Sequence, residues 1–145
     1  MSHDAPPNTY FYASRMGRII LQAMNEALGK EQFGEVLARA GLEDYLTNRP
    51  SGTLDRKFPF EHVSALQAAT EAVYGEKAGR ALNMRIGRVV LSGGVKEFDP
   101  VLGIADLPLR LMPPGMKFRV GLDVFARVFN QFTDQVVRLS EDGGA

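Results

Sequence analysis

Residues 16–41 read MGRIILQAMNEALGKEQFGEVLARAG. Met16, Ile19, Ile20, Ala23, Met24 and Ala27 recur at spacings of three and four, which places them on one face of a helix. Arg15, Arg18, Gln22, Asn25 and Glu26 fall on the other face. Gly29 interrupts the run as a natural helix terminator. A second stripe follows, of Phe33, Val36, Leu37 and Ala40, and Gly41 ends it. The spacing predicts helices from about Tyr10 to Leu28 and from about Lys30 to Ala40, turning sharply against each other at one glycine. Each has an apolar side that needs a partner, so the fold is expected to be mostly α.

The same reading extends toward the C-terminus. Between Glu43 and Phe58 the pattern breaks at Asn48, Pro50, Ser51 and Gly52, which are turn residues. A helical turn at Asp44–Leu46 and a short edge strand at Thr53–Phe58 are expected there. Pro59 suits a first helical turn. A third helix then runs to about Tyr74, with Val63, Leu66, Thr70 and Val73 inward, and Gly75 closes it. A fourth is expected from Glu76 to the Val89–Leu91 region, with Ala78, Leu82, Ile86 and Val89 on one face. Ser92-Gly93-Gly94 is read as its stop. Asp99-Pro100 reads as a cap and first-turn proline for a short fifth helix to about Leu107. After Pro113 and Pro114 a sixth helix spans about Gly115–Phe132, with Phe118, Leu122, Phe125, Val128, Phe129 and Phe132 along one side. Gln135–Leu139 (QVVRL) is the best strand candidate, being short and partly β-branched. The expected architecture is thus about six helices with a small antiparallel β component. One domain is expected over residues 10–140, between a disordered arm (1–9) and a disordered tail (141–145).

A lone C-terminal strand cannot satisfy its own backbone groups. It needs Thr53–Phe58, the Arg88–Val95 segment, or a strand from another copy. A homodimer is therefore one expected partner state.

Composition narrows the function classes. The chain has 145 residues, 45% of them hydrophobic, enough for a packed core. Lys and Arg number 17 and Asp and Glu 17, so no bulk field draws nucleic acid, and none is expected as a partner. The absence of cysteine excludes disulfides, cysteine zinc sites, iron–sulfur clusters and thiol nucleophiles. No signal peptide and no apolar run of spanning length is visible, which favours a cytoplasmic protein without a membrane span.

No catalytic signature emerges. His62 is the only histidine outside the N-terminal arm, and no second His or Cys completes a metal site around it. None of Ser14, Ser51, Ser64, Ser92 and Ser140 lies in a nucleophile elbow. Ser92-Gly93-Gly94 lacks the lysine and the strand–turn–helix context of a phosphate loop. Glu43 with Asp44, and Glu97 with Asp99, read as solvated acids. Lys77, Arg80, Arg85 and Arg88 share one side of the fourth helix without an intervening acid, the most marked charge asymmetry in the chain. They read either as a solvated face or as a contact for an anionic group. The phenylalanines of the sixth helix read either as core or as the wall of an apolar cavity.

Three stretches carry a family resemblance: MGRIILQAMNEALGKEQFGEVLARAGLEDYL (16–46), FPFEHVSALQAATEAVYGEKAGRALNMRIGR (58–88) and KEFDPVLGIADLPLRLMPPGMKFRVGLDVFARVFNQFTDQ (96–135). Together they resemble bacterial proteins of the 4-vinyl reductase domain family, also described as predicted hydrocarbon-binding proteins. That family shares a superfamily with the TRAPP subunits and the haem nitric-oxide sensors. The resemblance implies an α/β ligand-binding fold, with helices on a small antiparallel sheet and an apolar pocket between them. Family members usually continue into cysteine-bearing strands, whereas this sequence stops after QVVRLSEDGGA, as a reduced or shortened version would. Tyr12-Ala13-Ser14-Arg15 departs from the haem-propionate motif by placing its Arg one position early, so haem is not carried over.

The leading expectation is non-enzymatic binding of a small apolar molecule such as a lipid, hydrocarbon or tetrapyrrole, with no obligatory cofactor. Phe118, Leu122, Phe125 and Phe129 are the expected pocket wall, and Arg85 and Arg88 the expected contacts to an acidic head group. A homodimeric interaction module without a cavity is the alternative. A third reading is an accessory part of a tetrapyrrole vinyl reductase; the chain shows no G-x-G-x-x-G after a strand for a nucleotide.

Overall fold

Two three- to four-residue strands tie the start of the chain to its middle. The computed structural model describes residues 9–102, 111–138 and 140. The order is β1 (Phe11–Ala13), α1 (Ser14–Leu28), α2 (Lys30–Ala40), a 3-10 turn (Glu43–Leu46), β2 (Arg56–Pro59), α3 (Phe60–Tyr74), α4 (Glu76–Leu102) and α5 (Pro114–Phe132). The protein is mostly helical with a small antiparallel sheet, as the periodicity predicts. β1 pairs with β2 in the register Phe11↔Pro59, Tyr12↔Phe58 and Ala13↔Arg56, with an irregularity between Tyr12 and Ala13.

The first-turn amides of a helix have no partner within it. In α1 two of them are met by the loop before β2: Ser14 N–H donates to the Asp55 carbonyl (2.7 Å) and Arg15 N–H to that of Thr53 (2.9 Å). Gly29 and Gly75, at φ of 82° and 87°, let α1 turn into α2 and α3 into α4 without a longer loop.

The main core joins Leu21 and Met24 of α1, Phe33, Val36 and Leu37 of α2, Phe58 of β2, Leu66 and Ala69 of α3, and Ile86 of α4. Each large side chain fully buried there contributes roughly 1.5–3 kcal/mol. Buried Thr70 donates its hydroxyl to the Leu66 carbonyl (2.8 Å), so its polar group is satisfied inside the core. α3 and α4 approach closely at Gly79, where an added Cβ would lie 2.5 Å from the Glu71 Cα.

A second, smaller cluster of Ala13, Met16 and Phe132 anchors α5. Around it a polar latch forms. The Asp134 carboxylate accepts from the Phe11 N–H (2.8 Å) and from Arg56 (3.0 Å). Asp134 N–H donates back to the Phe11 carbonyl (3.0 Å), and Arg56 also reaches the Gln131 carbonyl (3.0 Å).

Several sequence expectations need correction. The chain at Phe11–Ala13 is a strand, so α1 starts at Ser14 rather than Tyr10. α4 does not stop at Ser92-Gly93-Gly94 but continues to Leu102. Gly93 lies against α1, with Ile19 Cγ2 3.4 Å from where its Cβ would be, so the helix packs on through the first glycine of the pair. Asp99-Pro100 therefore falls inside the end of α4, not at the start of a new helix; the rest of the expected fifth helix, 103–107, lies outside the described residues. Residues Gln135–Arg138 form no strand. The chain instead makes a single antiparallel bridge two residues earlier, Tyr12↔Thr133, and the Asn130 side chain then binds both the N–H (2.6 Å) and the carbonyl (2.9 Å) of Val137. The described residues hold five α-helices; residues 1–8 of the expected arm (1–9) and the expected tail at 141–145 lie outside them.

Candidate functional site

Packing three amphipathic helices leaves a gap where their side chains do not fill the space between them. Ile20 and Met24 of α1 lie one turn apart, as do Val63 with Leu66 and Gln67 of α3. Asn83, Ile86, Gly87 and Val90 of α4 follow the same spacing. Together they line a partly open cleft of about 170 Å³. Its interior is aliphatic and thioether. Its polar side chains are two amides, Gln67 and Asn83, and the Asn83 amide donates to the main-chain carbonyl of Gln67 (3.3 Å). Gly87 is exposed, and nothing stands within 4 Å of where its Cβ would be, so the missing side chain widens the opening.

The residues expected to wall a pocket lie elsewhere. Phe118 on α5 is 70% exposed, and Leu122 and Phe125 are each 38% exposed. Phe125 and Phe129 pack together at 4.3 Å between ring centroids, and half-buried Phe129 meets Tyr12 edge-on. These four share a face of α5, but none of them lines the α1–α3–α4 cleft. Arg85 and Arg88 are exposed on the side of α4 turned away from Ile86 and Val90. The structure thus brings the four α5 residues together and leaves the two arginines apart from both the cleft and that face.

Ile20, Met24, Val63, Leu66 and Ile86 were legible as inward-facing. The missed signal was Gly87, a glycine within a helical pattern and beside an inward position, with no turn to make.

A polar pair lies at the first turn of α3, one residue before Val63 of the cleft. The Tyr45 hydroxyl is 2.6 Å from His62 Nδ1. With the neutral imidazole protonated on Nε2, the phenol donates and Nδ1 accepts. Burial pushes the Tyr45 phenol up to about 12. Burial also lowers the His62 pKa, against a smaller opposing pull from Glu61. The pair sits against buried Phe58, with the His62 ring edge-on to it at 5.8 Å. This is a hydrogen-bonded packing unit; among the described residues no cluster of three His, Cys, Asp or Glu could hold a metal.

No family model, curated protein or solved structure matches this chain.

Proposed function

We propose that the protein binds a small apolar molecule, without converting it, in the cleft between α1, α3 and α4. The carrying observation is the cleft itself: aliphatic and thioether walls with two amides at hand, the composition of a small-molecule site. The resemblance to hydrocarbon-binding proteins points the same way. A volume near 170 Å³ matches that of a cavity able to take a benzene-sized guest. A ring or a short branched chain fills it; of a long lipid or a tetrapyrrole only an edge enters, and the rest extends through the opening.

Gly87→Leu tests this reading. Nothing stands within 4 Å of a Cβ at Gly87, which lines the cleft, so a leucine there is expected to narrow it without strain at the Cβ. The helix itself gains roughly 0.8–1 kcal/mol from replacing glycine. The expected result is a melting temperature equal to or above that of the parent, with the thermal shift produced by small hydrocarbons abolished. A parent protein that shows no shift with benzene, cyclohexane, a fatty acid or a porphyrin removes the proposal.

A second reading, association through an apolar helix face, is favoured by the exposure of Phe118, Leu122 and Phe125. Contiguous large apolar side chains open to water mark interaction surfaces more often than chance. In that reading a second copy covers α5, and the protein is a homodimer.

A further inference from the structure

The outer face of α4 carries positive charge that the fold leaves uncommitted. With about 100° of turn per residue, Lys77, Met84, Arg88 and Leu91 fall close to one line, flanked by Arg80 and Arg85. The line runs for roughly 21 Å. All six side chains are exposed, Met84 at 65% and Leu91 at 56%. Arg80 is taken by Glu71 (3.5 Å) and Glu76 (2.8 Å). Lys77, Arg85 and Arg88 make no ion pair among the described residues. No acidic residue occurs from Lys77 to Lys96. In a chain of net charge zero, this is a local concentration of charge.

The apolar members decide what this face fits. A nucleic-acid backbone would satisfy the cations but leave Met84 and Leu91 facing phosphate and sugar, which are contacted chiefly by polar groups. An anionic bilayer surface offers both chemistries, phosphates and carboxylates at the headgroup level and hydrocarbon just beneath. We propose that the outer face of α4 docks flat on an anionic lipid surface. Lys77, Arg85 and Arg88 meet the headgroups, and Met84 and Leu91 enter the apolar layer below them. The attachment is peripheral, since no helix among the described residues is long and apolar enough to cross a membrane. It is also independent of the ligand cleft, which opens on the other side of α4 through Asn83, Ile86 and Val90.

Vesicle flotation of the full chain tests the docking. The protein is expected to float with vesicles of mixed phosphatidylcholine and phosphatidylserine and to stay behind with phosphatidylcholine alone. Each cation near such a surface is worth about a fivefold change in partitioning, so R85Q/R88Q lowers it roughly 30-fold. M84S/L91S is expected to remove the part of binding that persists at physiological salt. All four positions are exposed, so the variants keep the parental far-ultraviolet spectrum and melting temperature. The proposal is overturned by absence of flotation with anionic vesicles at low salt. Equal flotation of R85Q/R88Q overturns it too, as does retention of duplex DNA through these arginines without vesicle binding.

Discussion

Tyr45, Phe58 and His62 form a unit in which one buried ring supports a hydrogen bond between two polar ones. The geometry favours neutral His62, because Nδ1 accepts from the phenol only while it is unprotonated. Burial lowers the folded-state pKa below the ordinary value near 6.5. The unfolded chain therefore binds a proton first as pH falls. His62 contributes stability that is fully present above the unfolded value and is lost as pH drops through the lowered one. Tyr45 behaves oppositely: with its pKa raised to about 12, its contribution is full below about 10 and is lost as pH rises toward 12. Thermal melts from neutral pH down to pH 5 should show a falling midpoint in the parent, and the fall should be smaller in His62→Gln. Parallel pH profiles in the two proteins would show that His62 is not the group responsible. This pairing was not legible in the sequence. His62 could be placed at the start of a helix, but the partner lies in a 3-10 turn whose path depends on the loop after Gly41.

At the level of elements, periodicity succeeded where a whole face is buried and failed where tertiary contact outweighs local preference. The stripes at Met16–Ala27 and Phe33–Ala40 became α1 and α2, with α2 and the end of α1 where expected and the start of α1 four residues later. Gly93 and Gly94 misled because their signal is local, while the packing of Gly93 on Ile19 of α1 is not. QVVRL misled for the converse reason: β-branched residues raise the preference for extended chain but supply no ladder. What joins this region to the sheet is Asp134, one residue before that stretch. Its carboxylate satisfies the Phe11 amide and the Arg56 guanidinium together. Asp134→Ala removes both bonds and leaves the half-buried Phe11 amide without that acceptor. The expected loss is about 1–2 kcal/mol. Hydrogen exchange should rise first at β1 and the last turns of α5, and later elsewhere. Uniform acceleration across the molecule would mean that Asp134 stabilises the fold globally and does not act as a local latch.

For the molecule as a whole, the candidate site depended on how three helices meet, which no single stripe encodes. Five of the cleft's lining residues could be read as inward, yet the same pattern fits a gap and a solid core equally well. The phenylalanines of α5 were the most conspicuous apolar group in the sequence, and they divide along the helix. Phe132 is 5% exposed in the small cluster against Ala13 and Met16, whereas Phe118, four turns away, stands in water. This gradient predicts opposite outcomes for substitutions on one face of one helix. Phe132→Ala should destabilise by about 3–5 kcal/mol, because it empties a packed position. Phe118→Ser should change stability by no more than about 0.5 kcal/mol, since an exposed side chain away from special features contributes little. Light scattering on the same two proteins separates burial from association. If a second copy covers α5, the parent elutes with the mass of a dimer and Phe118→Ser shifts it toward the monomer without unfolding it. If the parent is a monomer at micromolar concentration, the exposed ring has no partner of its own kind, and association through α5 is excluded while the cleft between α1, α3 and α4 is untouched.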